Sequence, residues 1–199
     1  MAKRSESIVN SNPKRLFMLR SALIAALAAL IYAASPAGVM AASSDNTLYL
    51  DLKDGRVIIE MRPDLAPKHV ERIKQLVKEH FYDGLTFHRV IAGFMAQTGD
   101  PKGDGTGGSK YPDLPAEFSN APFKRGTVGA ARTPDPNSAN SQFFICLADA
   151  PHLNGQYTVW GEVAAGMEFV DRIKKGGGAG GTVLNPDKIV KMQLASDAR

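Results

Sequence analysis

The chain has 199 residues, of which 44% are apolar and 22% are charged, and it contains a single cysteine. This length suits one domain with an appendage, the apolar content excludes wholesale disorder, and a single cysteine excludes both an internal disulfide and a cysteine-rich zinc site. Residues 1–42 hold five basic residues and one acidic residue, which leaves 19 of each sign in the remainder and disfavours a nucleic-acid partner recruited by net charge.

The first 42 residues have the layout of a secretory signal peptide. A polar, basic stretch of 20 residues comes before an apolar run of 13 residues at 22–34, and small residues follow as far as Ala42. The apolar run is shorter than the roughly 20 residues that a membrane-spanning helix needs. The segment is therefore predicted to direct export and to be removed.

The prediction places the folded domain at residues 43–199 and locates it in the periplasm or outside the cell. Val39 and Ala41 suit the −3 and −1 positions of a cleavage site, and cleavage one residue later or after Ala37 is an alternative. A second alternative is an uncleaved membrane anchor that uses residues 21–42 as one longer span. No stable membrane insertion is expected if the segment is cleaved.

Seven stretches after residue 46 have the apolar patterning of strands and are bounded by turn residues. They cover 47–52, 56–61, 86–91, 127–131, 141–147, 158–163 and 188–194. Asp54-Gly55 is a hairpin signal between the first two. Loops are predicted at 99–116 and 133–140, and a nearly all-glycine segment follows at 176–181. Many short strands with few helices indicate an antiparallel barrel or sandwich.

One long amphipathic helix is predicted over 67–80, with Pro67 in its first turn. Its apolar residues recur at helical spacing on one face: Val70, Ile73, Leu76 and Val77. His69 and His80 are predicted to lie on the helix surface. A short second helix is predicted over 166–174.

Several patterns that resemble functional sites are rejected. Gly103, Gly105 and Gly108 match the spacing of a dinucleotide-binding loop, but the proline-rich residues that follow cannot begin a helix. The four histidines show no metal-ligand pairing, so no metal and no cofactor is predicted. Cys146 lies within an apolar strand, which favours a buried, inert thiol.

Three segments carry a specific signal: FHRVIAGFMAQTGD at 87–100, SANSQFFIC at 138–146 and LNGQYTVWG at 153–161. Together they closely resemble the cyclophilin family of peptidyl-prolyl cis/trans isomerases, and the likeness runs in unbroken order over residues 46–194. The sequence GTVGAAR at 126–132 adds to it, and residues 103–108 are similar to the family's glycine-rich loop. The Ala-Arg-Thr element at 131–133 and the Asn-Ser-Ala element at 137–139 look like the bacterial branch. The resemblance implies a mainly β fold, a closed eight-stranded antiparallel barrel capped by two α-helices.

The resemblance also implies which residues act. Arg89 matches the catalytic arginine that faces the prolyl nitrogen, Gln97 matches the side chain that supports it, and His88 accompanies the arginine and orders the site. The implied catalytic set is Arg89, Phe94, Gln97 and His88. The implied substrate-binding set is Met95, Ala131, Arg132, Thr133, Gln142, Phe144, His152, Leu153 and Tyr157.

Three residues depart from the family pattern. Ala92 stands where the family has proline, and Thr98 replaces the first glycine of its usual Gln-Gly-Gly-Asp. His152 stands where cyclosporin-sensitive members carry tryptophan, so weak cyclosporin binding is expected.

The implied partners are unfolded or partly folded polypeptides that contain proline, and a monomer is expected. The expected activity is acceleration of X-Pro isomerisation in exported proteins, which assists their folding. The alternatives are a non-catalytic module that binds proline peptides and, if residues 21–42 are not cleaved, a membrane-tethered interaction domain.

Overall fold

The computed structural model describes residues 44–198, so the predicted signal peptide lies outside the described part of the chain. Eight strands and two α-helices follow one another in these residues. In chain order they are β1 Thr47–Leu52, β2 Gly55–Met61, α1 Pro67–Lys78, β3 Arg89–Ile91, β4 Met95–Thr98, β5 Thr127–Ala130, β6 Phe143–Cys146, β7 Val159–Ala165, α2 Met167–Arg172 and β8 Lys191–Leu194. No helix in this part of the chain combines the length and the apolar character needed to cross a membrane.

The eight strands form one antiparallel sheet in the order β3-β4-β6-β5-β7-β2-β1-β8. The eight antiparallel strands and two helices that the family resemblance implied are confirmed, whereas the patterning of the sequence had indicated only seven strands. The predicted barrel is not closed by a continuous ladder between the edge strands β3 and β8 within residues 44–198, and the sheet is a curled half-barrel. The residues that precede these two strands meet at one isolated antiparallel bridge, between Thr86 and Lys188. Residues 176–183 cover the open edge of β3 instead, where the N–H of Val90 donates to the carbonyl of Gly181 and that of Val183 donates to His88.

The strand boundaries differ from the sequence prediction at the centre of the sheet. The strand predicted over 86–91 is shortened to Arg89–Ile91, and β4 was not predicted at all. A strand of four residues is too short to display a clear period of two, and Gly93 with a positive φ of 70° forms the turn that precedes it. The two strands nevertheless pair in register, with Arg89 opposite Gln97.

The main core lies between the sheet and α1. The predicted apolar face of α1 is buried, and the largest fully buried side chains include Trp160, Tyr82, Phe87 and Phe143. Helix α1 ends at Lys78 and not at His80, which adopts a positive φ of 56°. Helix α2 is likewise shorter than predicted and packs against β2.

His69 is buried, which corrects the prediction that it lies on the helix surface. Only 3% of the residue is exposed, and Nδ1 lies 2.6 Å from Oε2 of Glu117. The same carboxylate accepts the backbone N–H groups of Lys68 and His69 in the first turn of α1. Glu117 belongs to the long loop after β4, so this contact fastens that loop to the helix. Helical periodicity did not reveal it, because the acceptor is 48 residues away in sequence.

The His69–Glu117 contact predicts how stability depends on pH. Burial lowers the pKa of His69 despite the opposing carboxylate. Burial alone would raise the pKa of Glu117, but the hydrogen bonds from the His69 ring and the backbone outweigh it and lower this pKa. Both groups therefore bind protons more readily in the unfolded chain than in the folded protein. The free energy of unfolding falls as the pH drops below about 6.5, the ordinary pKa of histidine, because of His69. It falls further below about 4.5, the ordinary pKa of glutamate, because of Glu117.

We expect His69→Gln to flatten the decline in the free energy of unfolding between about pH 6.5 and pH 5, where one proton accounts for at most about 1.4 kcal/mol per pH unit. Urea titrations at a series of pH values measure this slope. His80→Gln is the matched control, because His80 is exposed on the surface beside Asp83. An unchanged slope in His69→Gln would contradict the assignment.

Candidate functional site

A pocket of about 360 Å³ opens on the surface of the sheet beside β3, β4 and β6. Ten of the thirteen site residues implied by the sequence line it: His88, Arg89, Phe94, Met95, Gln97, Ala131, Arg132, Phe144, Leu153 and Tyr157. The structure therefore brings together residues from 88 to 157 that are far apart in the chain.

The sheet register explains why these residues meet. Arg89 lies opposite Gln97, and Gln97 lies opposite Phe144 on the next strand. Phe144 in turn lies opposite Gly129. Residues directly opposite each other in an antiparallel sheet point to the same face. A single row across β3, β4, β6 and β5 thus places a cation, an amide and an aromatic ring side by side.

The floor of the pocket is apolar. Met95, Phe144 and Leu153 are 2%, 5% and 7% exposed. The ring of Phe123 stacks behind Phe144 at 5.8 Å between centroids, and the ring of Tyr157 meets Phe144 edge to face at 5.9 Å. A slot of this shape and polarity suits a small apolar ring.

Arg89 is the cation beside this slot, and its orientation is set by hydrogen bonds. Nε donates to the carbonyl of Gly180 at 3.0 Å, and Nη1 donates to Oε1 of Gln97 at 3.1 Å. No carboxylate within residues 44–198 forms an ion pair with Arg89. Its positive charge is therefore held in place without being neutralised.

A relay of two amides fixes the direction of the Gln97 side chain. The Nε2 group of Gln142 donates to the carbonyls of Gly105 and Gly107, at 3.0 and 2.8 Å. Because both donors of that amide are engaged, its oxygen must face the Nε2 group of Gln97, at 2.9 Å. The oxygen of Gln97 is then left to accept from Arg89. The glycine-rich loop thus determines, through two glutamines, which way Arg89 points.

The glycine-rich loop is itself anchored by a buried carboxylate. Asp100 is 1% exposed and accepts the backbone N–H groups of Lys102, Asp104 and Gly105. A Cβ atom at Gly107 would lie 2.0 Å from Oδ1 of Asp100, which explains the glycine at this position.

Four residues that line the pocket were not named as site residues from the sequence: Gly103, Asp104, Gly105 and Thr182. The first three belong to a loop that the resemblance had marked. Thr182 follows the glycine run and carried no local signal.

His88 lies at the edge of the pocket below the glycine-rich loop, one residue before β3 begins. His88 is 6% exposed. Its Nε2 atom lies close to the glycine-rich loop, since a Cβ atom added to Gly105 would be 3.9 Å from it. Burial lowers the pKa of His88 against the attraction of Asp100, so the neutral imidazole is favoured at neutral pH.

The three remaining site residues lie outside this pocket. Thr133 and Gln142 line a second, adjoining pocket of about 690 Å³. The two pockets share four lining residues: Gln97, Gly105, Ala131 and Arg132. His152 lines neither pocket; its ring lies 5.3 Å from that of Phe94 at the outer rim.

Comparisons with known proteins decide the family. The family model for cyclophilin type peptidyl-prolyl cis-trans isomerase/CLD matches residues 47–194. The chain belongs to this family. A probable peptidyl-prolyl cis-trans isomerase of Brucella suis is 57% identical over 193 residues, covering 91% of this chain and 98% of the relative. Peptidyl-prolyl cis-trans isomerase B of Bacillus subtilis is 43% identical over 133 residues, covering 65% and 92%.

Solved cyclophilins share the fold. The crystal structure of cyclophilin AquaCyp293 from Hirschia baltica matches with a TM-score of 0.70 at 26% identity, covering 78% of this chain and 76% of the other. A cyclophilin from Cryptosporidium parvum gives the same TM-score and identity, covering 77% and 99%. The protein is therefore a peptidyl-prolyl cis-trans isomerase of the cyclophilin type.

The single cysteine of this cyclophilin is not a nucleophile. Cys146 is fully buried in β6, as predicted, and burial raises the pKa of its thiol to about 12. The thiolate is therefore scarce at neutral pH. The described part of the chain also contains no cluster of three or more His, Cys, Asp or Glu side chains arranged to hold a metal ion.

Proposed function

We propose that this cyclophilin accelerates X-Pro isomerisation by stabilising the twisted amide through Arg89, and that its substrates are exported polypeptides. The observation that carries the first part is the guanidinium of Arg89 beside an apolar slot. Two hydrogen bonds hold it in place, and no carboxylate within residues 44–198 neutralises its charge. No nucleophile is needed, because the barrier arises from the partial double-bond character of the amide C–N bond.

The reaction requires a donor that acts chiefly in the transition state. As the C–N bond twists, the lone pair of the prolyl nitrogen leaves conjugation and becomes a hydrogen-bond acceptor. Arg89 donates to that nitrogen only when the bond is twisted, so the interaction lowers the barrier more than it stabilises the bound substrate. A 10⁴-fold acceleration would need about 5.5 kcal/mol.

Phe144, Met95 and Leu153 hold the proline ring while the preceding carbonyl rotates. The segment after β5 supplies a contact for the flanking peptide. The backbone N–H of Ala131 donates to Gln142, whereas the N–H of Arg132 has no partner within residues 44–198 and is available to a substrate carbonyl. Groups that read the backbone in this way accept many different side chains, which supports broad use on unfolded chains.

The direct test is the cis/trans relaxation rate of a short X-Pro peptide with the purified protein added. Acceleration of this relaxation supports the enzyme. Binding of the peptide without acceleration would favour the non-catalytic alternative.

The export part of the proposal rests on the pattern of residues 1–42. It is tested by sequencing the N-terminus of the protein recovered from the cell envelope. A new N-terminus near Ala42 supports cleavage and export. Recovered protein whose sequence still begins at residue 1 favours the membrane-tethered alternative.

We also expect weak cyclosporin binding. At the rim of the pocket His152 packs on Phe94 and offers a smaller apolar face than the tryptophan of sensitive cyclophilins. Calorimetric titration should give a dissociation constant weaker than about 100 nM, which corresponds to about −9.5 kcal/mol. His152→Trp should bind more tightly than the native protein, and a native affinity below 100 nM would contradict the prediction.

A further inference from the structure

The side chain of Arg132 bridges two loops that border the proline pocket. Its Nη1 donates to the carbonyls of Thr133 and Pro134, at 2.9 and 3.3 Å. Its Nη2 donates to the carbonyl of Gln156 at 2.9 Å, which lies 24 residues further along the chain. One guanidinium therefore joins the loop after β5 to the loop before β7.

The same guanidinium lies over the ring of a residue at the pocket rim. Its Cζ is 4.4 Å from the centroid of the Tyr157 ring. The other side of the contact is fixed, because the Tyr157 ring meets Phe144 edge to face at an interplanar angle of 84°. Tyr157 is thus held between Arg132 and the pocket floor.

The charge of Arg132 has no carboxylate partner within the described residues. It faces the ring of Tyr157 and three carbonyl oxygens. A guanidinium is attracted to the face of an aromatic ring, and its planar fork donates to several carbonyls at once. Lysine keeps the charge but offers one compact ammonium, which cannot lie on the ring and reach all three carbonyls.

We infer that Arg132 is a positioning residue, whose side chain fixes the Tyr157 ring and thereby the width of the proline pocket. This contact of the Arg132 guanidinium with the Tyr157 ring is the clamp. This role is separate from the backbone contact of Arg132, and it rests on the proposed function in taking this pocket as the proline site. Because the clamp shapes the slot and does not contact the twisting bond, it should act on bound substrate and transition state alike. Its loss should therefore raise KM and leave kcat nearly unchanged.

The test is a double-mutant cycle in the full-length protein with an Ala-Ala-Pro-Phe peptide as the probe. Arg132→Lys and Tyr157→Leu should each raise KM roughly fivefold, with kcat within about twofold of the native value. The double variant should be no worse than the more damaged single variant, because either change removes the same contact.

Arg172→Lys is the matched control. In α2 the Cζ atom of Arg172 lies over the ring of Phe169, 5.7 Å from its centroid, and neither residue lines the pocket. Its kinetics should equal those of the native protein. A native KM in Arg132→Lys would overturn the inference, as would independent, multiplicative effects of the two changes in the double variant. Thermal unfolding identifies any variant whose loss reflects misfolding.

Direct binding separates this inference from the proposed function. Calorimetric titration with the same peptide gives a dissociation constant that does not depend on turnover. If the native protein binds the peptide without accelerating its isomerisation, the proposed mechanism fails. The clamp still stands in that case if Arg132→Lys weakens binding roughly fivefold, and it fails if binding is unchanged.

Discussion

Arg89→Ala should lower kcat/KM for an X-Pro peptide by roughly 10²- to 10³-fold, the loss typical of removing one preorganised donor in an active site. The expected loss is large because the amide relay orients the guanidinium of Arg89. The other cation that lines the pocket, Arg132, already donates to three loop carbonyls. Peptide binding should persist, since the apolar floor is untouched. The cis/trans relaxation rate and a peptide titration measure the two quantities separately.

Arg89→Lys should recover only part of the activity, because one ammonium cannot satisfy Gln97, the Gly180 carbonyl and the substrate together. Arg62→Ala is the control, since Arg62 forms an exposed pair with Asp64 outside the pocket. Native kcat/KM in Arg89→Ala would disprove the assigned role.

Gly129→Ala should displace the ring of Phe144, which forms part of the pocket floor. A Cβ atom at this position would lie 2.6 Å from Cζ of Phe144 and 2.7 Å from Cε1 of Phe123. The rings stack on each other, so Phe144 has to move toward the space that the proline ring needs. We expect a loss of about 1–3 kcal/mol in the free energy of unfolding, typical of overpacked cores, together with a roughly tenfold or greater rise in KM.

Gly177→Ala provides the matched comparison, because a Cβ atom there meets nothing within 4 Å and Gly177 has no positive φ. Gly177→Ala should have the same denaturant midpoint of unfolding and the same KM as the native protein. If Gly129→Ala has a native midpoint and a native KM, the close approach of β5 to Phe144 does not constrain the pocket.

The sequence predicted the elements whose patterns are local. The apolar face of α1 repeats at helical spacing over 12 residues, and β1 and β2 alternate around an Asp-Gly turn. Both were located nearly to the residue. The four-residue strand β4 was missed, since it is shorter than the window that a period of two requires.

The members of the site were also readable from the sequence, but only through the family motifs. Met95, Phe144 and Leu153 taken singly look like any core residues, and all three are in fact buried. Nothing in the chain's local pattern pointed to Thr182 as a lining residue. The burial of His69 was missed for the same reason, because its partner Glu117 comes from a distant loop.

By itself the sequence thus determined the family, most strands, the main helix and the residue types of the site, because these depend on short periods and contiguous motifs. Only the tertiary structure decided the open edge of the sheet, the row that aligns Arg89 with Gln97 and Phe144, and the clamp of Arg132 on Tyr157. These features depend on strand register and loop contacts between residues far apart in the chain. Such contacts arise from three-dimensional packing and leave no local pattern in the order of residues.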